Sequence, residues 1–182
     1  MDSPPFPQAA IAAAREAVRA ELRIDGSGDD AAIERMAAAA LALCEAFTGQ
    51  ALIAREWEQM LTPSREWQLL SPVPAIAIGG VEAVDVDAVG TAVPAGRYAI
   101  DIDAGGRGWV RIAAKEGEQR FRVQLTAGLC AGWDELPPPI MQGVTRMAAH
   151  LLEARDGSAP PAAVAALWRP WRRMRLSPER RA

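Results

Sequence analysis

The stretch EAFTGQALIAREWEQML, Glu45 to Leu61, contains the point at which the chain changes its hydrophobic period. Before Gly49 the apolar residues recur at helical spacing. From Leu52 onward they recur at two, with Ile53, Arg55, Trp57, Gln59 and Leu61 on one face of an extended segment. A helical pattern that stops on a glycine and turns within a few residues into an alternating one predicts a boundary between a helical part and a β part.

On the N-terminal side of this boundary, Ile11, Ala14, Val18 and Leu22 share one helical face, with Arg15, Glu16, Arg19 and Glu21 elsewhere around the cylinder. A helix is predicted from about Pro7 to Leu22, with Pro7 in its first turn and Asp25-Gly26-Ser27-Gly28 as its stop. Asp29 or Asp30 then caps a second helix, whose face is Ile33, Met36, Ala37, Ala40, Leu41, Cys44 and Phe47. The alanines allow the two helices to pack antiparallel at close range.

On the C-terminal side the period of two persists. Trp67 and Leu69 lie on one strand, and Ala75 to Val86 forms one or two more. Tyr98, Ile100 and Ile102, then Val110 and Ile112, then Phe121, Val123 and Leu125 alternate with polar residues. Six or so short strands, punctuated by Pro63-Ser64, Gly79-Gly80, Gly90, Gly105-Gly106 and Gly117, predict an antiparallel sheet or small barrel. Helical spacing returns after Leu136-Pro137-Pro138-Pro139, with Ile140, Val144, Met147, Ala148 and Leu151 on one face and Gly157 as the close. The fold class is therefore α+β. A small antiparallel helical bundle (1–50 and 129–159) carries an inserted β subdomain (51–128), and residues 160–182 follow as an extended C-terminal arm.

That arm, PPAAVAALWRPWRRMRLSPERRA, has a composition of its own. Six arginines against Glu179 give it +5, which leaves −8 of the overall −3 for residues 1–159. It has too few apolar positions to close a core, yet Leu167, Trp168, Trp171, Met174 and Leu176 are costly to leave in water. Arginine and tryptophan together suit an interface, because guanidinium forks onto carboxylates and stacks on indole. The sequence therefore predicts that the arm docks on a partner. Nucleic acid is the alternative partner, with WRPWRRMR contacting phosphates and stacking on bases.

Other chemistries find little support. His150 lies on a helical face beside Met147 and Leu151, where it reads as structural rather than catalytic. Cys44 and Cys130 lie far apart, without metal spacing, and read as reduced thiols. Asp25 to Asp30 lacks the acid spacing of a calcium loop, and Gly105-Gly106-Arg107-Gly108 precedes a strand, so both read as turns. Asp85, Asp87, Asp101 and Asp103 read as a solvated strand face. No set of base, nucleophile and metal ligands is present, so neither an enzyme nor a cofactor is expected. The start MDSPPFP has no signal-peptide pattern, and the apolar window Met36 to Phe47 is short and contains Glu45, so a cytoplasmic product without a membrane span is expected.

Three stretches resemble a known family. They are LRID…DDAAIERMAAAALALCEAFTGQAL (Leu22 to Leu52); RYAIDID and FRVQLTAGL (Arg97 to Asp103, Phe121 to Leu129) with LPPPIMQGVTRMAAHLLEARDG up to Gly157; and the arm, with its leucine, its proline among bulky residues and arginines, and Arg175-Leu176. In this order they resemble the head-tail connector (adaptor, or head-completion) proteins of tailed phages, and look closest to the adaptors of gene transfer agents. The resemblance covers most of the chain. It rests on order and spacing, since none of the stretches is a catalytic signature.

The resemblance implies a virion component at the head-tail junction, assembled in the host cytoplasm. Such proteins form a ring, commonly dodecameric, beneath the portal protein, with a tail-side stopper or tail-terminator protein below and DNA passing through the lumen without specific binding. The arm then reaches into the portal, through Leu167, Trp168, Arg169, Pro170, Trp171, Arg172, Arg173, Met174, Arg175 and Leu176. An acidic body suits a conduit, because negative walls repel phosphate. The connection Leu129 to Glu135 is longer than the family's pattern, and its role is not implied.

Overall fold

The computed structural model describes residues 3–154 and 159–173. It divides into two units. One is Ala54–Gly128 with Ser3 and Pro4, and the other is Pro5–Ile53 with the described residues from Leu129 onward.

The helical unit contains α1 (Gln8–Leu22), α2 (Asp30–Thr48), α3 (Pro138–Glu153) and a short α4 (Ala162–Trp168). The carbonyl of Pro7 accepts the first free N–H groups of α1, from Ala10 and Ile11. The buried stripe of α1 is Ala10, Ala14 and Val18, so Ala14 and Val18 of the expected face are buried, while Ile11 and Leu22 are only half-buried and Ala10 joins the stripe. Alanine on this line allows the backbones to approach. Across it, Arg15 Nη1 meets Glu34 Oε1 at 2.7 Å and Arg19 Nη1 meets Asp30 Oδ1 at 3.3 Å, which sets α1 and α2 antiparallel.

Both ends of the α1–α2 connection differ from expectation. The left-handed residue that stops α1 is Arg23 (φ 53°), before the Asp25–Gly28 turn is reached. Asp29 occupies the N-cap of α2 but accepts the N–H groups of Ala32 and Ile33 with its carbonyl and not its carboxylate, and the Asp30 side chain is drawn to Arg15 and Arg19. The C-terminus of α2 matches its sequence signal: Gly49 is left-handed at φ 69° and donates its N–H to the carbonyl of Glu45.

Glu45 also turns the chain outward, its Oε1 accepting the N–H of Leu52 at 2.7 Å. The returning segment lies alongside. Leu129 N–H donates to the carbonyls of Ala51 and Leu52, Cys130 N–H donates to Leu52, and Ile53 and Cys130 form a parallel bridge. The segment Leu129–Glu135, which the sequence left without a role, thus returns the chain to the helical core. There it inserts Trp133 among the buried residues and tightens into a 3-10 turn, Trp133–Glu135. α3 ends at Glu153, where Ala154 N–H reaches the carbonyl of His150, and the expected close at Gly157 lies outside the described residues.

The β unit contains seven strands: β1 (Arg55–Leu61), β2 (Ser64–Leu69), β3 (Ala75–Val84), β4 (Gly90–Ala92), β5 (Tyr98–Ile102), β6 (Gly108–Ile112) and β7 (Phe121–Ala127). They form two open antiparallel sheets, ordered β1-β7-β3-β4 and β2-β6-β5, and no closed barrel. The strict alternation of β7 serves two neighbours at once, Val123 lying opposite Gln59 on one side and Val81 on the other. Trp57, Trp109, Val110, Ile112, Phe121, Val123 and Leu125 supply its buried apolar mass. Arg55, the charged member of the alternating face, is buried with its guanidinium 4.3 Å from the Trp57 ring, and it donates to the Pro4 carbonyl and Ser3 Oγ. Among the described residues no helix is long and apolar enough to cross a membrane.

Gly105-Gly106-Arg107 forms the expected turn, between β5 and β6, with Gly106 at φ 71°. Asp103 organises it. Burial by itself pushes this carboxyl's pKa up. The N–H of Arg107, the indole of Trp109, the Arg107 guanidinium and the N–H of Gly105 outweigh burial and hold it at about 2. Because the folded pKa lies below the unfolded value near 3.9, the charged group stabilises above about pH 4 and loses that contribution as pH falls toward 2. Denaturation midpoints at pH 7 and near pH 2.5 should therefore fall less for Asp103→Asn than for the parent chain. An equal fall in both would remove Asp103 from this role.

Candidate docking site

The C-terminal segment does not run free as an extended arm over its described part. Pro161 starts α4, its carbonyl accepting the N–H of Val164, and Val164 and Trp168 follow at i and i+4 with both side chains buried. Trp168 is 4% exposed and meets Phe47 of α2 with ring centroids 5.9 Å apart. Its indole edge lies directly over Gly143 of α3, where any Cβ would sit inside the van der Waals shell of Nε1. Among the described residues Nε1 finds no hydrogen-bond partner, so shape and apolar area hold the ring there.

Beyond α4 a 3-10 turn, Arg169–Trp171, continues along the same unit. Trp171 is half-buried and its carbonyl accepts from Gln50 Nε2. Arg172 places its guanidinium 5.7 Å from the Phe47 ring, and Arg173 N–H donates to the Thr48 carbonyl at 2.7 Å. Residues 162–173 are thus folded against their own helical unit. Too few apolar residues to close a separate core are still enough to complete a core that three other helices have begun.

Of the ten residues singled out for docking, Trp168 is buried and Leu167 and Trp171 are half-buried within the unit. Arg169, Pro170, Arg172 and Arg173 are exposed on the same segment, while Met174, Arg175 and Leu176 lie outside the described residues. Of the residues that receive the segment, Phe47 was placed on the apolar face of the second helix, while Thr48, Gln50 and Gly143 were not singled out from sequence. One signal was present: a glycine inside an apolar helix costs about 1 kcal/mol against alanine, and here it marks a close approach.

Cys44 lies in the core, and Asp85 and Asp103 lie in turns. Burial pushes the Cys44 thiol pKa well up, and does the same to half-buried Cys130, so both are poor thiolates. Asp85 and Asp103 each accept backbone N–H groups within turns. Among the described residues no group of three or more His, Cys, Asp or Glu side chains is placed to hold a metal ion.

The Trp168 contact is testable through its missing hydrogen bond. Trp168→Ala should cost about 3–5 kcal/mol in chemical denaturation, whereas Trp168→Phe, which loses no Nε1 partner, should cost clearly less. Gly143→Ala should cost about 1–3 kcal/mol by overpacking. A Gly143→Ala chain as stable as the parent would contradict the close approach.

No protein-family model matches the chain, and a search of curated proteins gives no significant match. Solved structures do. The chain is similar to one from the neck of an empty gene transfer agent particle, computed with sixfold symmetry, at TM-score 0.78 and 29% identity over 100% of both chains. It is similar to one from the virion of the native particle at TM-score 0.71 and 30% identity, over 97% of this chain and 96% of that one. A chain from the native neck, computed with twelvefold symmetry, matches at TM-score 0.71 and 30% identity over 100% of both. A likeness that runs from end to end, through the bundle, the inserted β unit and the C-terminal segment alike, is more than a shared fold: the chain belongs to the head-tail connector family of tailed phages and gene transfer agents.

Proposed function

We propose that this chain is a structural subunit of the neck of a gene transfer agent or tailed-phage particle, where copies of it form a ring between portal and tail. The observation that carries this reading is the full-length likeness to neck chains, at 29–30% identity. The sixfold and twelvefold symmetry of those necks supports a ring of identical copies. The subunit works by binding and shape, and DNA passes the assembled ring without being held. The charge of −8 over residues 1–159 supports that passage, since negative walls do not retain phosphate.

The C-terminal segment docks on the portal in this reading, in two physically different parts. Residues 162–171 brace the subunit from within through Val164 and Trp168, while Arg169, Arg172, Arg173 and the basic residues that follow supply the contact. Burial of Trp168 also weakens the nucleic-acid alternative, because a ring enclosed by Phe47 and Gly143 is not free to stack on a base.

A truncation removes the distal portion of the contact and leaves the brace. A chain ending at Arg173 keeps Trp168 in place and should retain the circular dichroism and thermal unfolding of the full-length protein. Its affinity for isolated portal rings should drop about tenfold or more, the equivalent of about 1.4 kcal/mol. Undiminished portal binding by this chain would remove the docking role from the residues beyond 173.

A further inference from the structure

The turn between β3 and β4 is internally hydrogen-bonded, acidic and uncovered. Asp85 Oδ1 accepts the N–H groups of Asp87 at 2.9 Å and Val89 at 2.8 Å, and Asp85 N–H reaches the Val89 carbonyl at 3.1 Å. Ala88 completes it with a left-handed φ of 63°. The loop thus holds its shape by internal bonds while presenting Val86, 95% exposed, and Val89, 59% exposed, beside the Asp87 carboxylate. An apolar side chain that exposed on a fixed turn has little left to lose on docking.

The other sheet of the same β unit carries a complementary feature. Arg65, Arg97, Tyr98, Ala99, Arg111 and Ala113 line an open cavity of about 380 Å³. Arg97 forms a fixed wall, paired with Glu118 and donating to the Ala113 carbonyl. The Arg111 guanidinium lies 5.1 Å from the Trp67 ring, and neither Arg111 nor Arg65 has a carboxylate partner among the described residues. Two uncompensated cations thus stand beside an alanine floor, on a body that is acidic as a whole.

We propose that the Asp85–Val89 turn of one copy seats in the Arg65/Arg97/Arg111 cavity of the next, with Val86 on the alanine floor and Asp87 paired to Arg65 or Arg111. This contact rests on the ring reading above. A closed ring requires two different, matching patches on every subunit, and here an acidic, apolar-tipped projection and a basic cavity occur on one β unit. The turn is exposed, so it does not fill the cavity of its own chain. A DNA phosphate would answer the arginines but would leave Val86 unexplained.

Disulfide trapping in assembled necks tests the contact. Necks carrying the full-length chain with Val86→Cys and Ala113→Cys should give, on oxidation, a ladder of covalent multimers that neither single variant gives. As a second measurement, Asp87→Arg or Arg111→Asp alone should lower incorporation into necks about tenfold, and the two together should restore it to within about threefold. Necks that contain the double-cysteine chain in ring stoichiometry but give no ladder overturn the contact and leave the ring reading intact. Failure of the charge swap to recover incorporation also overturns it. If no ladder forms and Arg111→Asp instead weakens binding of the purified chain to duplex DNA, the cavity serves phosphate and the proposal fails. A parent chain found in necks as a single copy overturns the ring reading and this contact together.

Discussion

The chain leaves its helical unit at Ile53 and must re-enter it at Leu129, and the rest of the structure depends on that closure. Four features meet there: the Gly49 helix stop, the Glu45 carboxylate bond to Leu52, the paired donors of Leu129 and Cys130, and the Ile53–Cys130 bridge. With the two strands of chain held side by side, an insertion of any length costs the helices little, because loop-closure entropy grows only slowly with loop size. Each unit can then build its own core. The segment Leu129–Glu135 adds Trp133 to that closure, which accounts for its length.

The C-terminal segment shows how composition can hide a local conformation. A short run rich in arginine, proline and tryptophan has the look of a free extension, and its apolar residues are indeed too few to fold alone. Alternating duties resolve the conflict. Val164 and Trp168 face α2 and α3, whereas Arg169, Pro170, Arg172 and Arg173 remain exposed. One seven-residue helix thus fastens the segment to the bundle and leaves its cations outward. An extension braced in this way has few free conformations left to surrender, which lowers the ordering cost of the docking proposed for it.

On the β unit, two aspartates shape turns. Asp103 gathers the β5–β6 turn and Asp85 the β3–β4 turn, each by accepting backbone N–H groups. Burial raises the pKa of both thiols. What the surface offers is charge and contour, which is what a subunit of a symmetric assembly needs.

By itself the sequence determined the local choices. The change from a period of 3.6 to a period of 2 near Leu52, the glycine stop at Gly49, the proline-led start of α3 and the Gly105-Gly106 turn were legible because each is decided by a few neighbouring residues. The α+β class followed from their order, and the family resemblance from the stretches between them. The tertiary structure decided what depends on distant partners. Strand order β1-β7-β3-β4, two open sheets in place of one, and the capture of Trp168 by Phe47 and Gly143 all join residues far apart in the chain. A pattern of periods states which face is apolar and never what will cover it, so the C-terminal segment could be read as sticky from its residues alone, but only packing showed that its own bundle takes Trp168.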